Sequence, residues 1–458
     1  MLRPANNLFE NRRPPVRLGL ILAVLLPATP FVLGGDSPPA GRTNANSSPP
    51  AVRREQVTQL VDQLASPSRS VRVIAERSLQ ELGPAILPWL PTARELDDPQ
   101  VRETVERLRN TLEQQQAKES VLPSTVTFQG TLALVDLLEQ IAASTSNPID
   151  TDNLPDMLRQ REVSVAFERT PFWKAILSLA DEHGLRPVYS EDTGALRLEP
   201  AESDSMEQPV HAEAGAVLVQ VWPVTQRKRP GPAGRQLLEI RIDLLLEPRL
   251  HAVFLHYRLD DFTLTGPDVA SISPFTPGAS YERPLTGGVA ATLRERFVAS
   301  SPVTGQHLRF DGRLTLRTAA IQETFRFPVA NVPRRKRLDR GGVTAQLLSA
   351  KWSDTPDGTT ALKAHMAIAY DETGPEFESH RAGRLYQNAW LESGTDGRRQ
   401  SAEVGLLRQL DRGAELELSV ERVNRDDGPL TIIYQAPRQF LDLPVSFELE
   451  GIPVAEQE

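Results

Sequence analysis

"VSVAFERTPFWKAILSLADEHGLRPVYSEDTGALRLEP", Val163–Pro200, reads as strand, helix, strand, strand. Trp173, Ile176, Leu177 and Ala180 fall at i, i+3, i+4 and i+7, the stripe of an amphipathic helix. Before them Val163, Val165 and Phe167 alternate with polar residues, as in a half-buried strand. The helix is expected to end at His183, just before Gly184, where that histidine complements the helix dipole. A stretch that mixes both periods so closely makes a small α/β unit.

The unit has a partner upstream. "STVTFQGTLALVDLLEQIAASTSNPIDTD", Ser124–Asp152, is again strand, helix, strand, with Leu134, Leu137, Leu138 and Ile141 as its helical stripe. Two such halves in tandem form a split β-α-β arrangement. With "VTFQGTLALVDLLEQIA" and the apolar positions around Pro171-Phe172-Trp173, the span 124–200 resembles the short amino-terminal (STN) domain of secretins and TonB-dependent receptors. The resemblance implies a periplasmic docking or ring-packing module, with Phe172 and Trp173 as candidate interaction residues. No second such domain and no amphipathic barrel strands follow, so a pore-forming role is not expected.

Residues 53–118 read as helical. Val57, Leu60, Val61 and Leu64 make one stripe; Val71, Ile74, Ala75, Leu79 and Leu82 make another. "SVRVIAERSLQELGPAILPWL" resembles a HEAT repeat, and "DDPQVRETVERLRNTL" repeats its opening. So short a piece is expected to cap a neighbour rather than form a solenoid, and the resemblance implies protein–protein contact.

Beyond the acidic spacer "ESDSMEQ" the chain turns to β-structure. "QLLEIRIDLLLEP" sets Leu238, Ile240, Ile242, Leu244 and Leu246 on one face and Glu239, Arg241 and Asp243 on the other. Alternation continues in "HLRFDGRLTLRT", "ETFRFPV", "ALKAHMAIAY", "ELELSVERV" and "PVSFELEGI". The economical division is a β-sandwich over 211–332, a basic linker over 333–342, and a second sandwich over 343–458. The expected fold class is therefore multidomain α+β, with a HEAT-like helical segment, an STN-like domain and two antiparallel β-sandwich domains.

The 458 residues carry a formal charge of −9 and no cysteine. The charge argues against nucleic-acid binding, and the missing thiol removes disulfides, thiol nucleophiles and cysteine-bound metals. Arg12, Arg13 and Arg17 precede "LGLILAVLL", the pattern of an export signal over 1–34, with an uncleaved anchor as the rival. A Pro/Ser-rich linker over 35–52 follows. The expected address is the periplasm or cell envelope.

Chemistry is sparse. No G-x-S-x-G, H-E-x-x-H, G-x-G-x-x-G, P-loop or S-x-x-K occurs, and no cofactor or metal is expected. His251 and His256 lie at an odd spacing, which sends them to opposite faces of one strand. Two basic clusters remain as interaction candidates: Arg227, Lys228 and Arg229, and Arg334, Arg335, Lys336 and Arg337. They suit an acidic partner, an anionic glycan or a lipid headgroup. The expected function is non-enzymatic docking or scaffolding among envelope proteins, secretion or outer-membrane components included. The alternatives are a glycan- or surface-binding protein using Trp352 and Trp390, and, last, a hydrolase without a recognisable motif.

Overall fold

In the computed structural model, the residues described are 50–92, 95–190, 194–201, 208–228, 236–267, 271–285, 288–301, 303, 307–329, 336–354, 360–371, 389–394, 399–423 and 428–456. Met1–Val52 and Arg53–Glu458 are separate compact units. The leader over 1–34 and the linker as far as residue 49 lie outside the described residues. The fold is mixed α+β and mostly strand.

Three helices come first: α1 (Pro50–Leu64), α2 (Arg69–Glu81) and α3 (Pro99–Ser120). Their shared core holds Val57, Leu64, Ala75, Leu79, Val101, Val105 and Leu108. Ile74 departs from the expected stripe. It is 63% exposed, because Ala75 and Leu79 set the buried face of α2. Asp98 caps α3 by accepting from the Gln100 amide at 2.8 Å.

The α/β unit follows as β1 (Thr125–Ala133), α4 (Leu134–Thr145), β2 (Ile149–Asp150), α5 (Asp156–Arg159), β3 (Glu162–Pro171), α6 (Phe172–His183), β4 (Leu185–Tyr189) and β5 (Leu196–Pro200). The opening stretch thus forms strand, helix, strand, strand, and Gly184 ends α6 in the left-handed conformation at φ 62°. Strands β1 and β3 pair antiparallel, while β5 lies between β2 and β4. Both helices bury their stripes in one core, which also takes Leu218 and Leu245 from the next part of the chain.

That next part contains β6 (Val210–Ala214), β7 (Val217–Val221), β8 (Val224–Lys228), β9 (Gln236–Leu246), β10 (Ala252–Arg258), β11 (Phe262–Thr265), β12 (Ile272–Pro274), β13 (Ser280–Pro284), β14 (Ala290–Ala299) and β15 (His307–Pro328). The chain closes with β16 (Lys336–Arg340), β17 (Val343–Asp354), β18 (Thr360–Tyr370), β19 (Ala389–Ser393), β20 (Arg399–Ser401), β21 (Glu403–Leu410), β22 (Gly413–Val420) and β23 (Leu430–Glu456).

The division into 211–332 and 343–458 needs correction. β15 and β23 pair antiparallel from His307↔Pro453 to Pro328↔Thr431, with bulges near Ala319 and Ile321. One end of this ribbon gives Phe310, Leu316, Phe447 and Ile452 to the first β core. The other end gives Phe325, Phe327, Ile432 and Tyr434 to the second. The last strand therefore returns to the first core, because alternation is continuous along both long strands and each segment buries whichever face it meets. The 333–342 linker changes too. Its residues 336–340 are β16, an edge strand paired with β17, whose Leu338 packs on the second core while its charges face outward.

The larger sheet runs β12-β14-β9-β8-β23-β15-β10-β13 along its main path. It curls so that both arms face the first core. The smaller sheet, β16-β17-β18-β22-β21, faces the far end of the ribbon across the second core.

Candidate functional site

The ends of the curled sheet meet without joining. β13 leads into β14 through residues 285–289, yet β13 pairs with β10 and β14 pairs with β9. Along β14, Leu293, Glu295 and Phe297 turn towards the core, while Ala290, Thr292, Arg294 and Arg296 share the outer face with Leu245, Asp243, Arg241 and Glu239 of β9.

The other edge of β14 is half filled. β12 pairs only with Phe297–Ala299, and the Phe275 amide donates to the Arg296 carbonyl at 2.8 Å as the last rung. Pro277, at the next bonding position, then leads the chain away, since it has no amide hydrogen to extend the ladder. Among the described residues no strand pairs with Ala290–Glu295 on that side. The Leu246 amide donates to the Val289 carbonyl at 2.9 Å. In an antiparallel ladder the pairs alternate, so Val289, Ala291 and Leu293 bond to β9 while Ala290, Thr292 and Arg294 direct amide and carbonyl outward.

Beside this edge lies a cleft of about 440 Å³, lined by Phe275, Tyr281, Arg283, Arg294 and Glu295 among others. Glu295 is 5% exposed. It accepts from the Tyr257 hydroxyl at 2.5 Å and meets Arg283 at 3.5 Å. Burial pushes its carboxyl above the usual range, partly offset by that hydrogen bond and by Arg283. Burial, then the contact with Glu295, pushes the Tyr257 hydroxyl far up as well. Arg283 lies over the rings of Tyr257 and Tyr281, at 5.7 and 5.4 Å.

On the outer face Arg296 pairs with Glu239 at 3.3 Å. Asp243 binds Arg241 at 2.8 Å and accepts from Trp222 and Thr292 at 2.6 Å each. Arg294 stands opposite Arg241. The cleft's two carboxylates, Glu239 and Glu295, lie on opposite faces of the sheet, each engaged by its own arginine. They do not converge on one reacting atom. The arrangement suits backbone hydrogen bonding with a cation at its rim.

The sequence candidates are dispersed. Phe172 and Trp173 are fully buried, which removes them as contact residues. The helical stripe that drew notice to Trp173 is the face α6 packs inward, and its Nε1 donates to the Ala216 carbonyl at 3.2 Å. Arg227 is exposed on β8 opposite Leu237, which puts it on the same outer face as Arg241, Arg294 and Arg296. Lys228 ends that strand, and Arg229 lies outside the described residues. Arg334 and Arg335 also lie outside them. Lys336 and Arg337 sit on β16 in the other sheet, where Arg337 binds Asp339 at 3.0 Å. Trp390 has Arg399 over its ring at 5.1 Å, and Trp352 packs against the second core. Neither is an open aromatic platform.

The half-filled edge was missed from sequence. Its signal was "SPFTPG", prolines closing a short strand, but which edge that strand leaves open is a tertiary fact. Among the described residues no three His, Asp or Glu side chains group to hold a metal, and no helix is long and apolar enough to cross a membrane. No family model, curated protein or solved structure matches this chain.

Proposed function

We propose that this is a non-enzymatic docking protein of the exported cell envelope, and that it docks partners by strand addition at β14. The observation that carries this reading is the half-filled edge: β12 stops at Phe297, leaving Ala290, Thr292 and Arg294 with outward amides and carbonyls beside a cleft. Exposed edges are templates for extended chains, and proteins usually blunt them with charge, proline or cover. Here Ala290–Leu293 carries no charge. The envelope address rests on the basic and apolar leader, and the HEAT-like and STN-like resemblances agree with a docking role.

Thr292→Pro tests the reading, because it removes an outward amide and leaves the ladder to β9 in place. Full-length tagged chain and the variant are crosslinked in the envelope fraction, with melting temperature as the fold control. The reading requires a partner recovered with the native chain and lost with the folded variant. Equal recovery, or no partner with either, overturns it.

A further inference from the structure

We infer that the open lane of β14 selects an extended, acidic segment of a partner protein. This rests on the strand-addition reading above and names what the lane takes.

The lane has defined ends. β12 and the Phe275–Arg296 rung close it on one side. On the other, Ala290 packs against the core of the α/β unit, where a methyl placed on Gly194 would lie 3.9 Å from the Val289 side chain. Between them, residues 290–295 match a segment of about six residues, the usual length of a strand.

Side chains of an added strand alternate between the faces of the sheet. On the inner side they meet Ala291, Leu293 and the mouth of the cleft with Phe275 and Tyr281. Glu295 is already satisfied there by Tyr257 and Arg283, so this side asks for apolar residues and offers no carboxylate to a cation. On the outer side they meet Thr292, Arg294 and Arg296. Glu239 is committed to Arg296, and Asp243 to Arg241, Trp222 and Thr292. Arg294, exposed and opposite Arg241, has no ion pair or hydrogen bond among the described residues. Like charges facing each other across a strand pair repel. A carboxylate from an added strand at this position relieves that repulsion and makes a charge-assisted hydrogen bond.

A second copy does not supply that carboxylate. Antiparallel pairing of β14 with itself centred on Thr292 would set Arg294 against Ala290 and leave its repulsion with Arg241 unrelieved.

The test uses the full chain and dye-labelled six-residue peptides in which valine alternates with glutamate, glutamine or lysine. Fluorescence anisotropy is expected to show the glutamate peptide binding roughly five- to tenfold tighter than the glutamine peptide, and the lysine peptide weakest. Arg294→Glu should reverse that order. Thr292→Pro, and separately a glutamate peptide N-methylated at alternate residues, should each abolish binding. The methylated peptide tests the backbone pairing without altering the protein.

Equal binding of all three peptides, still lost with Thr292→Pro or N-methylation, overturns acidic selection and leaves the docking edge standing. No binding, or binding indifferent to both changes, overturns the edge itself. A dimer in sedimentation that Thr292→Pro dissociates would assign the lane to a second copy and overturn the inference.

Discussion

Glu247 shows how single residues join this molecule. Fully buried after β9, it accepts from the Ser124 amide at 2.9 Å, the Ser124 hydroxyl at 2.7 Å, and Arg249 Nε at 2.7 Å. Arg249 also donates to the carbonyls of Ser120 and Leu122, and its amide donates to Asn147 Oδ1 at 3.0 Å. One ion pair thus ties the end of α3, the start of β1 and the loop after α4. Arg249→Met leaves the carboxylate buried and uncompensated, and is expected to lower unfolding free energy by about 3–5 kcal/mol in denaturant titration. Removing the exposed Arg337 partner of Asp339 should by contrast leave stability almost unchanged, because water and salt screen an exposed pair. Nearby His251 makes a second, pH-dependent case. Burial lowers its pKa from 6.5 to about 4. The unfolded chain therefore binds the extra proton first, so this contribution is complete above pH 6.5 and is lost as pH falls towards 4. The loss is about 3 kcal/mol. Denaturation at pH 7 and pH 4 should show this slope, and His251→Gln should flatten it. None of these roles was legible in the sequence, where Glu247 is an ordinary acid after a strand and His251 half of an unpromising pair.

Elements were more legible than their partners. The stripes of α4 and α6 and the alternation of β9 and β18 appear in the structure as the spacing requires, because periodicity is local. The pairing of β15 with β23 is not local; no pattern within either strand says that residue 310 meets residue 449. The same blindness hid the open edge, which exists because β12 covers one part of β14 and not the other. The ribbon gives a sharp prediction. Deleting 442–458 should strip Val445, Phe447, Leu449 and Ile452 from the first core. Hydrogen exchange should then show β9 and β14 losing protection, whereas an independent second sandwich would leave them protected. Within the other sheet, a Cβ on Gly413 would lie 2.0 Å from the Ile368 carbonyl oxygen. Gly413→Ala is therefore expected to separate β22 from β18 and lower stability by more than about 2 kcal/mol.

At the scale of the whole unit, the pieces read from the sequence are braced together. Glu113 of α3 meets Arg438 of β23 at 2.7 Å, and Arg438 reaches Glu323 of β15 at 3.7 Å. Burial pushes the Glu323 carboxyl up, with Arg438 and Arg340 opposing. The Ser120 hydroxyl lies 3.3 Å from the Ala320 carbonyl at the ribbon's bulge. The end of α3 thus packs on the ribbon. The α/β unit is fixed to the outer face of β7 and β9 through Leu218, Leu245 and Trp173. Removing Ser124–Pro200 would expose that face and break the Glu247 joint, so the deletion is expected to lower the melting temperature of the first β core rather than leave it untouched. What so braced a body offers outward is the open lane of β14. The most direct measurement places a photo-crosslinking amino acid at Thr292 in the full-length chain, with Met157, 83% exposed, as the control position. Irradiation in cells followed by mass spectrometry should join position 292, and not position 157, to an extended acidic segment of one envelope protein. No adduct at position 292, or the same adducts at both positions, would contradict docking at this edge.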